Sequence, residues 1–177
     1  MPRYAALLRA INVGGHTVKM DALRALFEAV PLRRVESVIA SGNILFDSTS
    51  TDTTKLESRI EAKLEKSLGY EVGTYVRTGA ELAAAAALQP FTLGADDKVH
   101  VVFVREPLSS TARARVLALR TDYDDFEVEG REIYWRTRGM SSASLIKPAA
   151  FSRAVGMPGT ARNVTTVRKL AEKLGAV

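Results

Sequence analysis

Two stretches of this sequence gather residues that can hold an anion. Asn12, Gly14, Gly15, His16 and Lys19 form the first, and Ser41, Gly42 and Asn43 form the second. A glycine pair between a strand and a helix exposes backbone N–H groups, and Asn12, His16 and Lys19 add side-chain donors. The phosphate-loop pattern would need Lys and then Ser or Thr after the glycines. Gly15 is instead followed by His16 and Thr17, and the dinucleotide spacing is absent. Glycines at a tight crossover and Ser-Gly-Asn in a hairpin turn are the plainer account. A third candidate is Arg162 with Asn163, which opens the last helix. Asn163 suits an N-cap, while Arg162 opposes the helix dipole. An anion bound there would fit both.

Other chemistry is poorly served. With no cysteine there is no disulfide framework, thiolate zinc site or cysteine nucleophile. Ser144-Leu145-Ile146-Lys147 has Ser-x-x-Lys spacing, but the two partner motifs of penicillin-binding enzymes do not follow it. His100 falls inside a strand and reads as a half-buried strand residue. Two distant histidines leave only a carboxylate metal site. The one dense acidic cluster, Asp122 to Asp125, reads as a solvated face. No metal and no cofactor are expected.

Charge is more informative. The 177 residues carry a net +5. Residues 1–90 are nearly neutral, with eleven basic and ten acidic side chains. From Arg131 onward nine basic residues face two acidic ones, a net +7. Such a field attracts polyanions. Arg136, Arg138, Lys147, Arg162 and Asn163 are the candidate anion-binding residues. Tyr134 and Trp135 interleave with the arginines as base-stacking platforms do. Strand alternation sends the two rings to opposite faces, so at most one faces solvent with the arginines. The basic third docking on the Asp122–Glu129 block is a further reading.

The elements that must position these residues follow from periodicity and punctuation. Tyr4–Arg9 reads as a strand and Met20–Ala29 as a helix. Arg34–Ala40 and Ile44–Asp47 read as a hairpin, with its turn at residues 41–43. A helix runs from about Thr54 to Leu68, with Thr54 and Glu57 at capping-box spacing. Glu71–Arg77 is a strand, and Thr78 and Glu81 cap a short helix before Pro90. The order β-α-β-β-α-β is the split βαβ, ferredoxin-like arrangement. It places the exit of strand one, the hairpin turn and the approach to strand four, near Gly69 and Tyr70, at one end of the sheet.

The pattern then restarts. Val99–Arg105 is a strand, Thr111–Arg120 a helix, and Phe126–Glu129 and Ile133–Thr137 two strands. Ser144–Val155 is a helix, and the last helix runs from Arg162 or Asn163 to Leu174. A fourth strand is not visible. The expected fold class is α+β: two ferredoxin-like (βαββα-type) units with antiparallel sheets, over residues 1–90 and 96–177. No apolar run reaches the roughly 18 residues a membrane helix needs, and Arg9 interrupts the N-terminal apolar run. The expectation is a cytoplasmic protein without a membrane partner.

Three stretches carry a family resemblance. They are Arg9-Ala10-Ile11-Asn12-Val13-Gly14-Gly15, then Ser41-Gly42-Asn43-Ile44-Leu45-Phe46, then Thr160-Ala161-Arg162-Asn163-Val164-Thr165-Thr166. Together they resemble the signature stretches of an uncharacterised bacterial family, domain of unknown function 1697, over nearly the whole chain. The resemblance implies a two-unit α+β fold with ferredoxin-like parts. It implies no established activity, cofactor or catalytic residue. Ala10 stands where that family usually has glycine, and Val164 where it usually has tryptophan, which weakens base stacking at that position.

The functional expectation is a binding protein for a phosphate-bearing ligand or nucleic acid, acting through the basic C-terminal third. Two alternatives stay open. One is an enzyme of unspecified reaction at the Asn12/Gly15/Ser41/Asn43 end; the other is a protein-interaction module. Oligomeric state is not legible.

Overall fold

The computed structural model describes residues 1–12, 15–39 and 42–176. The chain divides into two compact units, residues 1–84 with 168–177, and residues 85–167. The sequence-based division had placed 168–177 with the second unit.

In the first unit the strands are β1 (Arg3–Leu8), β2 (Arg33–Ser37), β3 (Asn43–Asp47) and β4 (Thr74–Thr78). They form one antiparallel sheet in the order β2-β3-β1-β4. Helices α1 (Met20–Glu28) and α2 (Thr53–Leu68) supply the crossovers. Strand alternation sends Tyr4, Ala6 and Leu8 to the helix side, where they meet Phe46, Leu23, Phe27, Leu56, Ile60 and Leu64. Burying a side chain such as Phe27 contributes about 2 kcal/mol. The other face, with Ala5, Leu7, Leu45 and Tyr75, is buried as well.

The expected capping box on α2 is corrected. The helix starts at Thr53, so Asp52 is the N-cap and accepts from the Lys55 N–H at 3.0 Å. Glu57 then lies too deep in the helix to reach back. The box at the next helix, α3 (Gly79–Ala87), does form. Thr78 Oγ1 accepts from the Glu81 N–H at 3.2 Å, and Glu81 Oε2 accepts from the Thr78 N–H at 2.8 Å.

The second unit repeats the topology. Strands β5 (Lys98–Val104), β6 (Asp124–Glu129), β7 (Glu132–Thr137) and β8 (Gly159–Asn163) lie in the order β6-β7-β5-β8. Helices α4 (Ser110–Leu117) and α5 (Pro148–Val155) cover one face over Val102, Val104, Phe126, Val128 and Ile133. The expected helix from Ser144 starts only at Pro148, behind a 3-10 turn at Ser141–Ala143. Pro148 sits in the first turn, where a missing N–H costs nothing.

The fourth strand that the sequence hid is β8. Only Thr160 in it is buried, so no apolar run announces it. Gly159 explains how it fits, because a Cβ there would lie 2.8 Å from the Phe103 carbonyl oxygen. The last helix, α6, spans Val164–Lys173. Among the described residues no helix is long and apolar enough to cross a membrane.

Candidate functional site

The loop end of the first sheet assembles as the topology requires. The Leu8 N–H donates to the Gly42 carbonyl at 2.8 Å, and the Arg9 N–H to the Gly73 carbonyl at 2.8 Å. The Tyr70 hydroxyl donates to the Ile11 carbonyl at 3.1 Å, and the His16 ring stacks on Tyr70 at 3.9 Å. Gly15 (φ +83°) and Gly42 (φ +85°) take the left-handed conformation that favours glycine. Gly14 and Ser41 lie outside the described residues.

The two asparagines there hold the backbone. Asn12 Oδ1 accepts from the Val18 N–H at 2.8 Å. Asn43 is a buried residue of β3 whose Nδ2 donates to the Ile39 carbonyl at 2.9 Å. His16 and Lys19 are exposed. Lys19 precedes α1 and makes no capping hydrogen bond through its side chain. Ala10 adopts φ +59°, which a β-carbon disfavours. It is the position at which glycine is usual in the family resembled.

The basic third is distributed differently from the sequence expectation. Strand β7 is central in its sheet. Its residues alternate between the face covered by α4 and α5 and the opposite face, and both faces are largely buried. Tyr134, 2% exposed, and Arg136, 7% exposed, lie on that opposite face. Burial pushes the Tyr134 phenol pKa up, and Glu132 and Glu129 push it further. Trp135 points to the helix side, packs beside Phe126, and donates from Nε1 to Asp124 Oδ1 at 2.8 Å. Neither ring stands beside the arginines as an open stacking platform, because a central strand leaves no solvent-facing side here.

Arg136 is the unusual residue. Its Nη2 approaches Asp125 Oδ2 at 3.5 Å. Its Nε and Nη1 are buried and have no hydrogen-bond partner. Cross-strand from it stand Val99 on β5 and Asp125 on β6. Two residues along, about 7 Å away on the same face, Arg138 is exposed and donates from Nε to the Asp122 carbonyl at 2.8 Å.

Arg162 shares that face through its register with Val101, which also pairs with Tyr134. Its Nη1 donates to Thr160 Oγ1 and to the Ala161 carbonyl, both at 2.8 Å. Loss of water lowers its pKa to about 10, so it stays charged at neutral pH. Asn163 does cap α6: its Oδ1 accepts from the Thr165 N–H at 2.9 Å. Lys147 is exposed just before α5.

The acidic block is engaged by cations of its own unit. Arg120 Nε meets Asp125 Oδ1 at 2.7 Å, and Arg113 Nη2 meets Glu127 Oε1 at 2.8 Å. The Val128 N–H bond and then Arg113 hold the Glu127 carboxyl below its usual range. His100 is half-buried, with its ring 5.6 Å from Trp135. Burial lowers its pKa. Among the described residues no group of three His, Asp or Glu side chains could hold a metal.

Residues 1–134 match the family described as "Protein of unknown function (DUF1697)". The chain belongs to that family. The matched span includes two of the three signature stretches and ends before the third, Thr160–Thr166. The fold likeness runs further. The conserved bacterial protein SP0830 from Streptococcus pneumoniae is 27% identical, with 99% of each chain covered and a TM-score of 0.75. No curated protein matches the chain. This membership of DUF1697 brings a fold and no activity with it.

Proposed function

We propose that this DUF1697 protein binds a small phosphate-bearing ligand where β7 ends at the exposed Arg138, with Arg136 as the buried anchor. The observation that carries this reading is the pair of buried, unpartnered Arg136 nitrogens. A guanidinium does not deprotonate in a protein. A buried donor without an acceptor costs about 1–3 kcal/mol, and more when charged. An anion with several acceptor oxygens removes that cost. Arg138 lies one residue beyond the end of β7, towards solvent, and Arg162 adds a third cation. Asp125 opposes an anion there, but Arg120 holds one of its oxygens.

Nucleic acid suits the site less well than a small ligand. Base stacking needs an open ring, and Tyr134 and Trp135 are packed. The enzyme alternative at the loop end of the first sheet is less well supported, because Asn12 and Asn43 use their side chains to hold the loops.

Thermal unfolding in the presence of inorganic phosphate, pyrophosphate and mono- and triphosphate nucleotides tests the reading. A ligand at 100 times its Kd stabilises by about 2.7 kcal/mol. Arg136→Met should remove that stabilisation, and the neutral Asn12→Ala should retain it. Equal ligand-induced shifts in wild type and Arg136→Met would sink the proposal.

A further inference from the structure

Asp125 of β6 stands directly across from Arg136 of β7 in the sheet register. The two oxygens of its carboxylate are unequally used. Oδ1 accepts from Arg120 Nε at 2.7 Å and from the Phe126 N–H at 2.8 Å. Among the described residues Oδ2 accepts no hydrogen bond, and Arg136 Nη2 approaches it only to 3.5 Å, which is long for a charge-assisted bond. Arg136 Nε and Nη1 are buried without an acceptor. A group meeting Arg136 therefore finds unfilled donors on one side and an unfilled carboxylate oxygen on the other. The remaining charges nearby are Arg138, Arg162 and Glu127, the last held by Arg113 at 2.8 Å. Strand β5 places the uncharged Val99 across from Arg136.

We propose that Asp125 makes this site select phosphate groups that carry a proton, namely terminal phosphomonoesters and hydrogen phosphate, over phosphodiesters and sulfate. This rests on Arg136 as the anion anchor. Two anionic oxygens within hydrogen-bond reach do not both stay ionised; they share a proton. A phosphomonoester can bring that proton, because its second ionisation lies at about pH 6. Its P–OH donates to Asp125 Oδ2 while its other oxygens accept from Arg136. An O–H···O⁻ bond of this kind is short and strong. A diester has no such proton, and sulfate is fully ionised near neutral pH. Each would set a lone pair against the lone pairs of Oδ2. The carboxylate that opposes a bare anion thus becomes the residue that chooses among anions. Nucleic-acid backbones are diesters, so the same oxygen disfavours them.

The test is titration calorimetry on the full chain with methyl phosphate, dimethyl phosphate and sulfate. Dimethyl phosphate carries the same single charge as protonated methyl phosphate, so the pair isolates the proton. At about pH 5.5, wild type should bind methyl phosphate at least tenfold more tightly than either other probe. Above about pH 6.5 its affinity should fall about tenfold per pH unit, as the protonated monoester is depleted. Burial lowers the His100 pKa from 6.5 and raises that of the Tyr134 phenol, and hydrogen bonding lowers that of Glu127, so none of them supplies this slope. Asp125→Asn keeps Oδ1 for Arg120 and the Phe126 N–H and puts a donor in place of Oδ2. It should bind sulfate and methyl phosphate within threefold of each other, without the slope. Equal binding of methyl and dimethyl phosphate by wild type overturns the proposal, whether or not Asp125→Asn folds. So does a preference for methyl phosphate that survives in Asp125→Asn. Both results leave Arg136 standing as the anchor. No binding of any probe by wild type, or binding that Arg136→Met does not weaken, overturns the anchor and the proposal together.

Discussion

Asp47 and Arg136 stand on corresponding strands of the two units. Each is buried in a strand that lies second in its sheet order, Asp47 as the last residue of β3 and Arg136 as the last but one of β7. Their surroundings differ. Asp47 receives Arg3 Nη1 from β1 at 2.9 Å and Arg34 Nε from β2. Arg136 receives one carboxylate, at 3.5 Å, from β6 and faces Val99 on β5. The first sheet closes its buried charge internally, and the second leaves two guanidinium nitrogens open. The same topology thus serves a self-contained structural charge in one unit and an unfinished one in the other. An unfinished buried charge is the stronger pointer to a ligand.

The contrast makes the first unit's charge the costlier one to remove. Asp47→Ala leaves Arg3 with Glu36 as its remaining carboxylate and Arg34 turned to solvent, and should lower stability by about 1–2 kcal/mol in chemical denaturation. The same group sets an acid limit. Burial raises the Asp47 pKa, but hydrogen bonds from Arg34 and Arg3 together bring it below the ordinary 3.8. A carboxyl whose folded pKa is depressed contributes stability above its unfolded pKa. That contribution is lost as pH falls through the folded value. Stability measured between pH 5 and pH 2 should fall more steeply in wild type than in Asp47→Ala.

Arg136→Met should act in the opposite direction. Without ligand it removes a poorly satisfied charge and should raise stability by about 1–2 kcal/mol, since Asp125 retains Arg120. A loss as large as that of Asp47→Ala would erase the contrast between the sheets.

A smaller effect belongs to His100, whose pKa burial lowers from 6.5. A base held neutral by folding binds fewer protons than its unfolded form, so stability falls as pH drops below about 6.5. His100→Gln should flatten the dependence between pH 7 and pH 5; an unchanged slope would assign it to other groups. The smallest effect is expected at Ala10. Glycine relieves the positive φ but adds unfolded-state freedom. Ala10→Gly should therefore gain about 0.5 kcal/mol in thermal unfolding.

Much of this architecture is written in local pattern. The stripe Leu56, Ile60, Leu64 and the Thr78–Glu81 box name their helices without help, and the meeting of loops at one sheet end follows from strand order. What escaped is non-local. Strand β8 is polar, and Gly159 reads as a helix breaker until the Phe103 carbonyl is placed against it. The partners of Glu57 and Arg136 depend on which strand is an edge and which is central. The excess of positive charge after Arg131 is visible in composition. Its conversion into one arginine buried on β7 and one exposed just past the strand's end is visible only when the sheet is built.

The grouping of residues 168–177 with residues 1–84 bears on how the chain is made. Its own four strands are all synthesised by Thr78. Lys173, whose ammonium meets Glu36 at 2.9 Å, emerges only after nearly a hundred further residues. At about 5–20 residues per second the ribosome takes several seconds over that interval. During it the first sheet exists without its C-terminal segment. The unit whose strands are translated first is therefore completed only after the strands of the other unit have been made.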